Sequence, residues 1–180
     1  MTTFVSMLRG VNVAGHKKLK MSELTEYYTS IGLHDVQTYI QSGNVVFSTN
    51  IADASMIAKR VEKELRSRLG WDVAVFIRSS SELTRIIDRN PLAGKDQSRL
   101  HVTFLYAKPP RISTDKIVAA LNAGEEFSIS DREVFLFLPN GSGRTKLSNN
   151  FLEKVLGVPA TTRNWNTVTT LSKMASKSPA

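Results

Sequence analysis

Apolar positions change their spacing along this chain, and the changes mark out its elements. "TFVSMLR", from Thr3, is a short, largely apolar run and reads as a strand. In "MSELTEYYTSIG", Leu24, Tyr27, Tyr28 and Ile31 fall at i, i+3, i+4 and i+7, one face of a helix. Glu23 and Glu26 suit the positive N-terminal end of that helix, and Gly32 suits its stop. "VQTYI" and "NVVFST" flank "QSG" as the strands of a hairpin. "ADASMIAKRVEKELRSRLG" carries Ile57, Ala58, Val61, Leu65 and Leu69 as a helical stripe ended by Gly70. Its outer face spaces Glu62 with Arg66 and Glu64 with Arg68 for ion pairing. "VAVFIRS" follows as a strand. The order βαββαβ predicts a four-stranded antiparallel sheet with helices on one face, a ferredoxin-like unit over residues 1–80.

The pattern then starts again. "SSELTRIIDRNP" is a short helix stopped at Asn90-Pro91, and a polar loop leads into the strand "LHVTFLYA". The helix "STDKIVAALNAG", the strands "EEFSIS" and "EVFLFLP" around Asp131-Arg132, the loop "NGSGRTKLS" and the helix "NNFLEKVLG" follow. No fourth strand is evident. "RNWNTVTTLSKMA" instead spaces Trp165, Val168, Leu171 and Met174 as a helix, and the tail "SKSPA" reads as frayed. The fold class is therefore α+β: two tandem ferredoxin-like units, βαββαβ over 1–80 and βαββα-α over 81–180. Each is an antiparallel sheet with helices packed on one face.

Charge changes this picture more than composition does. The 180 residues are 41% hydrophobic and 22% charged, ordinary for a globular protein. No apolar run is long enough for a membrane span, and the N-terminus lacks the pattern of a signal peptide, so a cytoplasmic protein is expected. The absence of cysteine excludes disulfides and thiolate metal sites. The net charge of +8 is concentrated at the two ends of the chain. Arg9, Lys17, Lys18 and Lys20 face no acid in the first twenty residues. Arg144, Lys146, Lys154, Arg163, Lys173 and Lys177 face only Glu153 after residue 139. Such a distribution suits an anionic partner if the fold presents those charges together.

Three stretches are candidates for contact with it. "RGVNVAGHKKLK" spaces Gly10 and Gly15 as a P-loop would, but Lys17 is one place late and the metal-binding hydroxyl is missing. A nucleoside triphosphatase is excluded on that ground; a basic strand-to-helix loop that exposes N–H groups to an anion remains. "GSGRTKLSNN" has Arg144 and Lys146 on a loosened backbone, with Ser148 as a helix N-cap, and the two loops read as occupying like positions in the two units. In "RNWNT", Arg163 and Asn164 suit phosphates or base edges and Trp165 suits stacking, although Trp165 also begins a helical apolar stripe and Asn164 suits a cap. His16, His34 and His101 have no metal-ligand spacing, and no nucleophile, base and orienter can be nominated.

"MLRGVNVAGHKKLKMSEL", "DVQTYIQSGNVVF" and "LPNGSGRTKL…TTRNWNTVTTL" together resemble the bacterial domain of unknown function 1697 family over almost the whole chain. The resemblance implies tandem α+β units that look ferredoxin-like. It implies no established activity.

The residues favour binding of nucleic acid, RNA first, with no cofactor and no metal. The element order is also that of the RNA recognition motif, but Asn44 and Val46 stand where its third-strand aromatics would be, so contact would fall to the basic loops. The candidate anion- or nucleic-acid-binding residues are Arg9, Asn12, Lys17, Lys18, Asn44, Arg144, Lys146, Arg163, Asn164 and Trp165. An alternative is a binder or enzyme for a small phosphorylated or carboxylated molecule, acylphosphatase-like in topology, with Arg9, Lys17 and Asn44 in the site. A third is a homodimer formed through a sheet face left open by one-sided helices.

Overall fold

A computed structural model of the chain describes residues 1–13, 15, 17–110, 112 and 114–177. His16, the expected helix start at Ser113 and the last three residues of the tail lie outside the described residues. The chain divides into two compact units, Met1–Asp88 joined by the chain from Thr169 onward, and Arg89–Val168.

In the first unit, β1 (Thr2–Leu8), β2 (His34–Tyr39), β3 (Asn44–Thr49) and β4 (Val75–Ser79) form one sheet in the order β2-β3-β1-β4, antiparallel throughout. α1 (Met21–Ser30) follows β1 and α2 (Ala54–Leu69) follows β3. Because strand side chains alternate, Phe4, Leu8, Val45, Phe47, Val75 and Ile77 share one face, and they join Leu24 and Tyr28 of α1 and Ile57, Val61 and Leu65 of α2 in one core. Phe47 stacks on Phe4 with ring centroids 6.1 Å apart and meets Tyr28 edge-on at 5.6 Å. The Tyr28 hydroxyl, wholly buried, shares a 2.7 Å hydrogen bond with Ser6 Oγ, and burial pushes its pKa far up.

α2 ends as its sequence dictates. The Asp53 carboxylate accepts from Ser55 N at 2.7 Å, and Gly70 closes the helix at φ 78. One of its two expected ion pairs forms, Arg68–Glu64 at 2.8 Å. The other does not: Arg66 reaches Asp72 at 2.7 Å, while Glu62 accepts Val75 N at 3.0 Å and ties α2 to β4.

Two expectations need correction here. The unit does not end at residue 80, because α3 (Ser80–Asp88) packs against β1 and β4. Nor is the second sheet face open. Val5, Met7, Val46 and Phe76 lie on it, and each is at most 1% exposed, as is Arg78.

The second unit sets β5 (Leu100–Leu105), β6 (Glu126–Ser130), β7 (Glu133–Phe137) and β8 (Ala160–Asn164) in the order β6-β7-β5-β8. Its core joins Leu105, Val134, Leu136 and Ala160 to Ile117 and Ala120 of α4 (Asp115–Ala120) and Leu152 and Leu156 of α5 (Asn149–Leu156). The fourth strand, β8, was not expected. "ATTRN" is short and polar, with no apolar alternation to announce it, yet its threonines are β-branched and suit a pleated surface. The second unit is therefore βαββαβ, followed by α6 (Trp165–Lys177). Val102, Phe104 and Phe135 lie on the sheet face away from α4 and α5, and they too are buried. The chain thus has two similar α+β units, each built on a four-stranded antiparallel sheet.

Candidate functional site

The loop from Arg9 to Lys20 is anchored at its base by burial and by one side chain. Val11 and Leu19 are buried, which pulls both arms of the loop onto the end of the sheet. Asn12 then fastens it. Its Nδ2 donates to Leu19 O at 2.8 Å and to Gln41 O at 2.7 Å, and its Oδ1 accepts Leu19 N at 2.8 Å. Asn12 N also donates to Lys17 O at 3.2 Å. Asn12 adopts φ 54, a left-handed geometry that asparagine tolerates better than most residues. Both amide hydrogens are thus spent inside the unit, so Asn12 shapes the loop rather than offering its donors to a ligand.

The hairpin turn lies against this base. Gly43 has φ 73, and a Cβ there would sit 2.7 Å from Val11 Cγ2 and 2.8 Å from Leu8 Cβ. Only glycine allows that approach. Leu8 N donates to Gly43 O at 2.9 Å, and Arg9 N donates to Ala74 O at 3.0 Å, so three segments meet at this end of the sheet. Asn44 is fully buried here; its Nδ2 donates to Ser42 Oγ at 2.8 Å and to Tyr39 O at 3.2 Å. It is a structural amide and is not presented to a ligand.

Beyond the clamp, Val13, Gly15, Lys17, Lys18 and Lys20 are exposed. Neither Lys17, Lys18 nor Lys20 makes an ion pair among the described residues. Lys20 stands at the start of α1 and gives its helix no side-chain acceptor; instead Glu23 Oε2 accepts Lys20 N at 3.3 Å. Arg9 is half-buried at the foot of the loop.

The second basic loop is not at a like position. Residues 9–20 join β1 to α1, at the end of the sheet where β1 finishes. Residues 138–148 join β7 to α5, at the end where β5 begins: Leu138 N donates to Arg99 O at 2.9 Å. Arg144 and Lys146 are exposed, and Asn122 Nδ2 holds Arg144 O at 3.0 Å. Ser148 caps α5 as expected, its Oγ accepting Phe151 N at 3.2 Å. Arg99, which the sequence did not single out, is exposed on the adjoining strand start, its Nη1 within 3.8 Å of a Cβ built on Gly141.

"RNWNT" is mostly internal. Arg163 is 9% exposed, and its Nη1 donates to Thr161 Oγ1 at 2.8 Å and Thr162 O at 3.0 Å. Asn164 caps α6 by accepting Thr167 N at 2.8 Å. Trp165 is 7% exposed and starts the buried stripe that continues through Val168 and Leu171. Sequence reasoning missed the positive φ of 50 at Ile40 and the 60% exposure of Val13. The sequence reading placed Ile40 in the strand before "QSG", whereas β2 ends at Tyr39 and Ile40 opens the turn.

No group of three or more metal-binding side chains occurs among the described residues, and no helix there is long and apolar enough to cross a membrane. The sheet face through which a homodimer was expected is buried rather than open.

Among solved structures, the conserved bacterial protein SP0830 from Streptococcus pneumoniae is similar over 98% of this chain and 99% of its own, with a TM-score of 0.70 and 23% sequence identity. That likeness concerns the fold. No curated protein matches the sequence significantly. A family described as protein of unknown function, DUF1697, matches residues 1–135, and the chain belongs to that family.

Proposed function

We propose that this protein binds an anionic partner, RNA before a small phosphorylated molecule, through the basic loop that follows β1. The observation that carries the reading is the pairing of a fixed base with an uncompensated tip. Asn12 closes the loop, while Lys17, Lys18 and Lys20 beyond it are exposed and lack carboxylate partners among the described residues. A clamped loop loses less conformational freedom on binding than a free one, so more of the attraction survives as affinity. Arg144 and Lys146 are exposed on the second unit. The mechanism is contact with phosphates, which positions a strand without reading its sequence.

RNA is placed ahead of a small ligand because the parts of a compact phosphate site are engaged elsewhere. Asn44 is buried and bonded, and Asn12 spends its donors on the loop itself. The same reading takes each unit as ferredoxin-like and the protein as cytoplasmic. The strand orders β2-β3-β1-β4 and β6-β7-β5-β8 support the first of these.

Binding by lysines to phosphates releases counterions, so affinity for a single-stranded oligonucleotide falls steeply between about 50 and 200 mM salt. Replacing Lys17 and Lys18 together with Gln lowers the slope of log affinity against log salt by about 1.4. Fluorescence anisotropy with labelled oligouridine measures both. An affinity indifferent to salt, or a slope untouched by the double substitution, removes the proposal.

A further inference from the structure

We propose that the tip of the β1–α1 loop and the turn of the β2–β3 hairpin form one surface for single-stranded RNA. Val13 and Ile40 meet unstacked base faces there, and Lys17 and Lys18 meet the phosphates. The inference rests on the anion-binding reading above and defines its partner more closely.

Val13 is 60% exposed and Ile40 50% exposed. Each is the sequence neighbour of one partner in the 2.7 Å hydrogen bond from Asn12 Nδ2 to Gln41 O, so that bond ties the loop and the hairpin turn that carry them to one end of the unit. Ile40 also has φ 50, a left-handed backbone in which a β-branched residue is strained. Asparagine or glycine would fit that turn with less strain, and a half-exposed isoleucine adds little to the core. Strain of this kind clusters at ligand-binding and other functional sites.

Charge and apolar contact then select the partner. Lysines at a loop tip complement phosphates, and apolar side chains beside them offer contact to bases. In a duplex the base faces are stacked and closed to such contact, so the surface favours single strands. An anionic lipid surface would also attract the lysines, but two medium-sized aliphatic side chains without an aromatic residue offer little area to bury in a bilayer.

The test uses the full chain with three probes: a fluorescein-labelled oligouridine, its duplex with oligoadenosine, and vesicles of phosphatidylcholine with phosphatidylserine. The wild type is expected to bind the single strand about tenfold more tightly than the duplex and to leave vesicles unbound. Val13→Ser with Ile40→Ser is expected to weaken single-strand binding about tenfold, as loss of the apolar area buried against bases gives, with an unchanged salt slope. Ile40→Asn is the folding control; it keeps or raises Tm by about 2–4 °C as strain is relieved, and still weakens binding. Single-strand binding that survives the apolar substitutions but falls with Lys17→Gln and Lys18→Gln overturns this inference and leaves the anion reading standing. Equal affinity for duplex and single strand does the same. No binding of either RNA at low salt overturns both, and vesicle binding that depends on Val13 and Ile40 assigns the surface to lipid instead.

Discussion

Laid side by side in register, the two units share more than an order of elements. Val5 pairs with Val46 and Arg78 in the first; Val102 pairs with Phe135 and Arg163 in the second. In each, the last strand therefore carries a buried arginine opposite the middle of the first strand. The next residue, Ser79 or Asn164, caps the helix that follows: Glu82 N donates to Ser79 Oγ at 3.2 Å and Thr167 N to Asn164 Oδ1 at 2.8 Å. The same register sets buried Asn44 of the first unit against buried Glu133 of the second. Where the units part is in their loops. In the first unit the β1–α1 loop is locked by the Asn12 side chain, and among the described residues Lys17 and Lys18 lie beyond that lock without carboxylate partners. The framework is thus common to the two units, and the proposed binding loop lies in the first.

The largest effect expected from this comparison lies at the paired arginines. Arg78 is 1% exposed, and truncating so large a buried side chain should cost about 3–5 kcal/mol. Arg163 is 9% exposed and donates to Thr161 and Thr162, so Arg163→Ala should cost less, about 2 kcal/mol. Urea denaturation followed by the fluorescence of Trp71 in the first unit and Trp165 in the second checks this. A harmless Arg78→Ala would mean that the matched register has no energetic content.

A smaller effect distinguishes a position that the units fill differently. Phe4 packs on Phe47 in the first unit, and the same register place in the second holds His101, half-buried, with Nδ1 3.3 Å from Arg99 O. Burial lowers the His101 pKa below its ordinary value of 6.5. The folded state then binds fewer protons than the unfolded state. The stability this contributes is full above 6.5 and is lost as pH falls through the lowered pKa. His101→Phe should flatten that part of the pH–stability profile while leaving stability at neutral pH unchanged or higher. A profile as steep in the variant as in the wild type would show that another group titrates.

Much of the framework was legible in the sequence because it rests on periodicity. The stripes of α1 and α2, the hairpin around "QSG" and the strands β1, β3, β5 and β7 are all written in apolar spacing. What escaped rests on other physics. β8 has threonines in place of an apolar alternation. The division after Asp88 depends on α3 packing back on β1 and β4, a tertiary contact with no local signature. At the site, the sequence identified Lys17 and Lys18 by charge alone, and these are exposed. It also nominated Asn12, Asn44, Arg163, Asn164 and Trp165 by residue type, and each of them has a structural task instead: a loop clamp, a turn amide, a buried guanidinium, a helix cap and a core ring. Polar residue type shows what a side chain can bond, and only the fold shows with what.

The central claim is that one end of the first unit, and not the basic loop of the second, receives the anionic partner. Amide chemical-shift mapping of the full chain with oligouridine tests it most directly. The account predicts shifts in the described residues of 12–20 and in 40–43, with residues 140–148 little changed. Shifts centred on 140–148, or on neither loop, would contradict it.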